Sequence, residues 1–547
     1  METLMLETVN RKYITCRPTC WLVFTVLSVT LGSCVLVGYN IGVLNTPQMI
    51  IGAWIRNTKC VQKGGTPGDS ENPQAGDIWC EKLEESQEES MFTDNGELNT
   101  LWALLNCLIP GGSVLGALGS SLLVNHFGPK KSMLLNNIIA IVAVLLNSLA
   151  RTAGSVEMLI VGRFFAGLNC GVTMCVAPTY LNEISPDRLR GAVGGTFELS
   201  IGIAILLSTI LGLPFILGNL DHWQYMLALA AVPTVFQLIT LPFCPDSPKY
   251  MYFKRQGTEE TLQVLSKLQG RANADRELSA IKEEYCHAKD QSVTTLRQLI
   301  RDPFLRKILL ITLGLHICQQ FSGIDATMFY STAMFRSAGL TGDAALYATI
   351  GMVAIYVVGT AVSSLVLIER VGRKVLLMIG YCGAVIFLCI LTTSMLIHKS
   401  GVPSPGSLDT DNPFAAAAYV SCASLVGFVV IFSTGPGPLP WVLTAEFFPQ
   451  GPRAVAAGPT AAMNRLGSLI ISLVFPYMQA SLDGYLFVIF IVFNICLVIF
   501  TYVFVIETKG KTTAQIQTEL RHRWMTEDGQ DPKILESNAL LRPDTKN

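Results

Sequence analysis

The sequence predicts an all-α membrane protein with twelve transmembrane helices in two six-helix halves. Three observations carry this. Half of the 547 residues are hydrophobic, 14% are charged and the mean hydropathy is +0.45, a balance suited to a chain whose solvent is largely hydrocarbon. Apolar runs of about 20 residues, the length that crosses about 30 Å of bilayer core, recur along the chain. Loops in corresponding positions of the two halves carry the same short patterns.

The runs fall near 21–44, 99–125, 132–151, 156–181, 191–217, 223–243, 305–336, 343–368, 374–398, 414–446, 454–478 and 483–506. The first is too long for a signal-peptide core and has no small-residue cleavage pattern, so it reads as a retained span. Two polar segments interrupt the series, 55–97 after the first span and 245–302 between the sixth and seventh. The expected organisation is a cytoplasmic N-terminus (1–20), an N-terminal half (21–243) with an extracellular loop (55–97), a cytoplasmic helical linker (244–304), a C-terminal half (305–507) and a cytoplasmic tail (508–547). Glu259, Glu260, Leu262, Leu265 and Lys267, then Glu277, Ile281, Lys282 and Glu283, predict short amphipathic helices in the linker. Glu81, Glu84, Glu85, Glu88 and Glu89 keep helical spacing and read as a solvated acidic helix face rather than a cation site.

Orientation follows from Lys and Arg in the short loops. Arg11, Lys12, Arg17, Lys130, Lys131, Arg188, Arg190, Arg370, Arg373, Lys374, Arg453, Lys509 and Lys511 fall on one side, which is therefore cytoplasmic, and both termini join it. A net charge of −1 gives no reason to expect a nucleic-acid partner. The cysteines lie mostly inside apolar runs, where a thiol behaves as a small hydrophobe, and show no metal-ligand spacing. Cys60 and Cys80 both fall in the first outer loop, where a disulfide and two free thiols are both open. No Asn-x-Ser/Thr glycosylation acceptor occurs, and no Gly-x-x-x-x-Gly-Lys-Ser/Thr phosphate loop, so an ATP-driven pump is unsupported. Neither an enzyme activity nor a cofactor is expected.

The loop after the second span reads His126-Phe-Gly128-Pro-Lys130-Lys131, and the loop after the eighth reads Arg370-Val-Gly372-Arg373-Lys374. After the fourth and tenth spans come Glu183-Ile-Ser-Pro186-Asp-Arg-Leu-Arg190 and Glu446-Phe-Phe-Pro449-Gln-Gly-Pro-Arg453, both Glu-x-x-Pro-x-x-x-Arg. Matching loops in two halves are the mark of parallel repeats around a substrate path. Glu183, Glu369 and Glu446 with Arg163, Arg190, Arg370, Arg373 and Arg453 are expected at cytoplasmic helix ends, pairing when the inner mouth closes and parting when it opens.

With these loops stand Gly38-Tyr39-Asn40-Ile-Gly42-Val43-Leu44-Asn45-Thr-Pro47, Gly162-Arg163-Phe164, Pro178-x-Tyr180-Leu-x-Glu183-Ile-Ser185-Pro186, Gln319-Gln320-x-Ser322-Gly323-Ile324, Gly435-Pro436-Gly437-Pro438-Leu439-Pro440-Trp441 and Glu507-Thr508-Lys509-Gly510. Over nearly all spans, and in this order, the chain resembles the sugar porter family of the major facilitator superfamily, the animal facilitative glucose transporters in particular. The resemblance implies the major facilitator fold and a sugar path between the halves.

A sugar is a neutral polyol, so its site needs amide and hydroxyl groups at several angles and an aromatic face. Gln319 and Gln320 on the seventh span qualify, beside Ser322 and Gly323, which are expected to break the helix. Asn464 and Ser468 share one face of the eleventh span, and Trp441 follows three prolines that let the tenth span bend. By residue type alone each amide serves equally as interhelical glue. The resemblance implies sugar contacts for Gln319, Gln320, Asn464 and Trp441, and an aromatic lid at Phe329 and Tyr330, for which packing is the rival role.

The resemblance also marks departures. Members of the family carry Gln at the position of Glu198, Asn at that of Asp325, Asn near Val357, Glu at that of Ser433 and Trp at that of Arg465. Charges inside a membrane protein normally pair, so Glu198, Asp325 and Arg465 are expected to form a buried network that alters substrate choice. The opposing expectation is an Arg465 that points off the cavity axis and leaves glucose binding intact. Proton-coupled relatives place an Asp where this chain has Asn40, which argues for uniport. The expected function is facilitative transport of a glucose-like or fructose-like hexose across the plasma membrane by alternating access. Alternatives are a proton-linked or organic-anion carrier and a sugar sensor that does not transport. The partners implied are a small-molecule sugar and the lipid bilayer.

Overall fold

The computed structural model describes residues 19–62, 65–67, 80–82, 95–186, 189–255, 257–290, 295–340, 343–400, 415–482, 485–511 and 513–525. Among them are 12 helices long and apolar enough to cross a membrane, which we number as spans one to twelve. Spans one to six are Cys20–Gly42, Thr100–Phe127, Pro129–Leu149, Val156–Ile184, Val193–Leu211 and Trp223–Phe243. Spans seven to twelve are Pro303–Arg336, Ala344–Val362, Arg373–His398, Ala416–Phe447, Val455–Gln479 and Leu486–Phe504.

Local chemistry sets several helix ends. Ser155 caps span four by accepting from Met158 N–H at 3.2 Å. Asp302 Oδ1 caps span seven, accepting from Phe304 and Leu305 N–H at 2.8 and 3.0 Å, with Pro303 at the first helical position. Gly128 and Gly372, with φ of 80° and 109°, turn the chain between spans two and three and between spans eight and nine. These are the two short basic loops that repeat in the sequence, and only glycine takes such a φ without strain.

Span three shows how the helices sit in lipid. Leu135, Ile138, Ile141, Leu145 and Leu149 face outward, whereas Asn136, Ala140, Ala143 and Asn147 are buried. The apolar stripe meets hydrocarbon and the polar one meets protein, the reverse of a soluble helix. Asn136 donates to Asn169 C=O and Thr173 Oγ1 on span four, both at 3.0 Å, and Asn169 donates back to Asn136 C=O at 3.0 Å. Amides thereby bond backbone across the interface, where hydrocarbon offers no water.

Spans two and four approach more closely still. A Cβ on Gly112 or Gly116 would meet Phe164 or Leu168 C=O at 2.3 Å, and one on Gly167 or Gly171 would meet Ile109 C=O at 2.3 Å or Ser113 C=O at 2.1 Å. Two glycine pairs at i, i+4 interlock, so the backbones touch with no side chain between them.

Two of the three C-terminal spans that carry candidate site residues, seven and ten, are broken. Span seven consists of helices Pro303–Phe321 and Ile324–Ser337, separated at Ser322 and Gly323, where Gly323 is left-handed with φ 102°. Span ten consists of Ala415–Thr434 and Leu439–Phe447 with a turn over 435–438. Span one contains a π-helical turn, Thr30–Cys34, and another, Ser363–Leu367, directly follows span eight. Between spans six and seven run helices Pro248–Arg255, Thr258–Gln269, Arg271–Asp290 and Leu296–Arg301. Leu265, Ala274, Leu278 and Ile281 make a small core of their own there.

Two expectations about the outer loop change. A helix, Gln48–Gln62, carries the chain well into the polar segment, and Cys60 on it is disulfide-bonded. Cys80 to Lys82 form a strand paired antiparallel to Gly65–Pro67, so the acidic helix expected from Glu81 onward does not begin there. Glu84, Glu85, Glu88 and Glu89 lie outside the described residues, as do the N-terminal basic residues.

Because backbone atoms occupy the space a side chain would need, Gly171→Leu should cost about 1–3 kcal/mol or more by overpacking and deplete the monodisperse peak in detergent size-exclusion chromatography. Gly52→Ala, where nothing lies within 4 Å of the added Cβ, should leave the peak unchanged.

Candidate functional site

The site grows from the two helix breaks. Gln319, one turn before the break in span seven, donates through Nε2 to Pro436 C=O at 2.9 Å and Gly437 C=O at 2.6 Å, the carbonyls that the break in span ten sets free. Its Oε1 accepts from Asn464 Nδ2 of span eleven at 2.7 Å. With its amide turned so that both ends are satisfied, Gln320 accepts from Asn464 Nδ2 at 2.8 Å and donates to the two Asp325 oxygens at 3.0 and 2.9 Å. Asn464 Oδ1 accepts from Arg465 Nε and Nη2 at 3.1 and 2.5 Å. A row results, guanidinium to Asn464 to Gln320 to carboxylate, in which each donor is sharpened by the group behind it.

His316 and Trp441 adjoin this row on the side of Thr444. Their rings meet edge to face at 4.5 Å, and His316 Nε2 lies 3.1 Å from Thr444 Oγ1. Trp441 is half-buried and keeps part of its face open, as a wall would.

Of the sequence-derived candidates the structure therefore unites Gln319, Gln320, Asp325, Asn464 and Arg465 in one contact network, with Trp441 reaching it through His316. Glu198 stands opposite, on span five. One helical turn to either side of it, a Cβ on Gly195 would lie 3.7 Å from Ser364 and one on Gly202 would lie 3.2 Å from Val357 of span eight, so this face of span five looks across to the other half. The expected ion pairing is corrected: Arg465 forms no ion pair with Glu198 or Asp325. It lies within electrostatic reach of both and bonds Asn464 instead. All three charged residues are partly accessible although deep in the protein.

The gating candidates divide. At the inner face Arg373 pairs with Glu446, Nε and Nη2 reaching Oε1 at 3.3 and 3.1 Å, while Thr508 donates to Glu446 Oε2 at 2.5 Å. Glu183 accepts a hydrogen bond from Ser247, and Arg453 Nη2 donates to Phe448 C=O at 3.1 Å. Each of these contacts lies within one half. Arg370 is exposed, and its C=O accepts from Lys509 Nζ at 2.6 Å. The side chains of Arg190 and Glu369 lie outside the described residues.

Arg163 is not at a cytoplasmic helix end. It sits two turns from the Val156 end of span four, about 30 Å along the axis from Glu183 at the other end. There it is fully buried, donating to Asn40 C=O at 3.1 Å and Leu105 C=O at 3.4 Å. Long polar side chains inside the bundle satisfy themselves on carbonyls of neighbouring spans, and Arg163 ties spans one, two and four.

Ala117 and Cys175 of spans two and four pack on Ala461 and Ala462 of span eleven, and side-chain hydrogen bonds between the halves appear toward the opposite end. Asn45 Nδ2 of span one donates to Met328 C=O at 2.9 Å and Ser331 Oγ at 2.6 Å of span seven. The Tyr330 hydroxyl donates to Ser472 C=O at 3.1 Å, accepts from Asn106 of span two at 3.4 Å, and its ring stacks on Phe475 at 4.8 Å. Tyr477 donates to Thr100 at 2.9 Å. Tyr330 is thus a buried strut rather than an open lid, and it is the one non-helical residue inside its helix, with φ −125° and ψ 17°. Sequence reasoning missed Asn45 and His316 as site residues, although Asn45 lies in a quoted motif and His316 one turn before Gln320.

The chain and its fold have counterparts among known proteins. The family model for Sugar (and other) transporter matches residues 25–520. The mouse solute carrier family 2, facilitated glucose transporter member 3 is 34% identical over 519 residues, covering 95% of this chain and 96% of that protein. The chain belongs to the sugar transporter family. The human member 3 protein is likewise 34% identical, over 495 residues, covering 90% of this chain and 91% of the relative. A solved structure of the major facilitator superfamily proton:xylose symporter XylE, bound to 6-bromo-6-deoxy-D-glucose, superposes with a TM-score of 0.69 at 22% identity, covering 91% of this chain and 99% of that one. The inward-open xylose transporter XylE from E. coli superposes with a TM-score of 0.68 at 21% identity, covering 91% of this chain and 99% of that one. The fold is the major facilitator fold, and the protein is a multi-pass membrane transporter rather than an enzyme.

One further contact is testable. Glu507, just beyond span twelve, accepts from the N–H groups of Arg373, Lys374, Thr508 and Lys509 at 2.9 to 3.0 Å, capping the start of span nine. Burial pushes this carboxyl up, but the backbone donors of Lys509, Arg373, Lys374 and Val375 outweigh it and hold the pKa below its ordinary value. A depressed folded pKa contributes stability above the unfolded value, about 4.3, that is lost as pH falls through the folded one. Glu507→Gln should therefore lower the detergent melting temperature at neutral pH, and the gap to wild type should close as the pH is taken below about 4.

Proposed function

We propose that this chain is a facilitative carrier that moves a hexose down its gradient by rocking its two halves about the central site. The observation that carries the reading is the amide cluster of Gln319, Gln320 and Asn464, held at the breaks of spans seven and ten. Hexose hydroxyls need donors and acceptors at several angles, and this cluster offers them within a helical bundle that has freed its backbone there. Trp441 supplies the aromatic face. In the closed arrangement the amides satisfy one another. A sugar entering the site exchanges these bonds for its own, so binding and the unlocking of the two breaks become one event.

Alternating access needs two gates. The struts from Asn45, Asn106 and Thr100 to span seven and span eleven act as the outer gate, and Tyr330 is its hinge. The Arg373 and Glu446 clamp, Glu183 with Ser247, and Arg453 stiffen each half at the inner mouth so that it moves as a body. The inner face, by its Lys and Arg, is cytoplasmic, with both termini there and the carrier in the plasma membrane. The printed function of the mouse and human relatives, facilitated glucose transport, supports the same substrate class.

Uniport is supported by Asn40. Arg163 meets its carbonyl, and a neutral amide there offers no proton to carry. Counterflow of labelled glucose in proteoliposomes should proceed without a pH gradient. A several-fold stimulation by an acidic exterior would sink uniport and favour a proton-linked carrier, to which Glu198 lends the supporting observation. Arg465→Trp, which restores an aromatic wall, should raise glucose flux several-fold; an unchanged rate would count against an altered site.

A further inference from the structure

The region around Asn464 carries an unbalanced set of charges that a neutral hexose does not use. Asp325 has both oxygens occupied by Gln320, and Arg465 leans on Asn464. Glu198 is different. Among the described residues no side chain bonds its carboxylate, though it is mid-molecule, on the face of span five that carries Gly195 and Gly202 against span eight. Arg465 is near enough to be felt but forms no ion pair with it. Tyr356 of span eight and Cys34 of span one also lie within electrostatic reach of it. His316 and Cys170 also lie in the field of Arg465, beyond the row of amides.

Alternating access closes both mouths around the ligand at some point in the cycle. A carboxylate that was solvated in the open cavity is then sealed in, and an unpaired charge in a dry site is costly. A neutral ligand leaves that cost in place. A carboxylate ligand would find one guanidinium against two carboxylates, whereas an ammonium would find the reverse. The balance of signs favours a cation on the sugar.

Resting on the reading that hexoses bind at this site, we propose that the carrier takes an amino sugar, a hexose bearing a protonated amine, ahead of the neutral parent, with Glu198 as the specificity-determining residue. Span five would present the carboxylate to the ammonium while the amides of spans seven and eleven hold the hydroxyls. The sugar is thereby bridged between the two halves, so its charge helps draw them together.

The test is competition against labelled glucose counterflow, using the purified full-length protein in proteoliposomes at neutral pH, where the amine is still largely charged and an acidic medium does not neutralise Glu198. Glucosamine, N-acetylglucosamine and glucuronate are the competitors, matched in ring and differing in charge. Glucosamine should compete about tenfold more tightly than unlabelled glucose, with N-acetylglucosamine and glucuronate weaker. In Glu198→Gln the advantage of glucosamine should vanish, and in Glu198→Asp, which keeps the charge, part of it should return. Glucose counterflow with glucosamine no better than glucose overturns the amino-sugar proposal and leaves the hexose carrier standing. Preference for glucuronate also overturns it, pointing to Arg465 as an anion anchor. Absence of flux and competition with every sugar overturns both readings together.

Discussion

In the hydrocarbon core a side-chain amide has no water to fall back on, so it must find another polar group or line a cavity. In this protein that constraint joins the three site spans. Gln319 holds the carbonyls released by the break in span ten, Asn464 holds Gln319 and Gln320, and Arg465 polarises Asn464 from behind. Removing any one member leaves buried donors or acceptors unmet, at about 1–3 kcal/mol each. The breaks and the cluster are therefore mutually dependent: without the broken helices the carbonyls are not free, and without the amides the breaks are not satisfied.

The rest of the bundle gives this cluster a fixed frame. Spans two and four interlock through glycines until their backbones touch, and Arg163 ties both to span one with no carboxylate involved. In the other half, Glu446 and Glu507 gather Arg373, Thr508 and the start of span nine into one clamp. These halves meet through a few side-chain bonds from Asn45, Asn106 and Tyr477, the kind of boundary along which two bodies can part.

Much of this was legible in the chain, and the legible part has a pattern. Span count, the break at Gly323 and the turn over 435–438 are encoded by residues adjacent in sequence: apolar runs, a glycine that takes a positive φ, prolines that cannot continue a helix. The matching loops named the repeat for the same reason. What was misread is depth and partnership. Arg163 was grouped with basic residues of the inner face because charge in a sequence carries no coordinate along the membrane normal. The acidic segment from Glu81 kept helical spacing, yet Cys80 to Lys82 found a strand partner in Gly65–Pro67, a tertiary pairing that local propensity does not contain.

Arg465 shows the division at a single residue. Its type, its span and its neighbour Asn464 are set by sequence, and so is the presence of two carboxylates elsewhere in the chain. Whether it meets them depends on how three helices rotate about their axes, which is settled by packing across more than a hundred residues of intervening chain. The sequence by itself determined a twelve-span sugar-transporter scaffold, its repeat and its breaks, because lipid length and backbone stereochemistry act locally. Only the tertiary structure decided that Arg465 would bond an amide, that Tyr330 would be a buried strut, and that Glu198 would face the cavity without a partner, because each is a relation between distant helices.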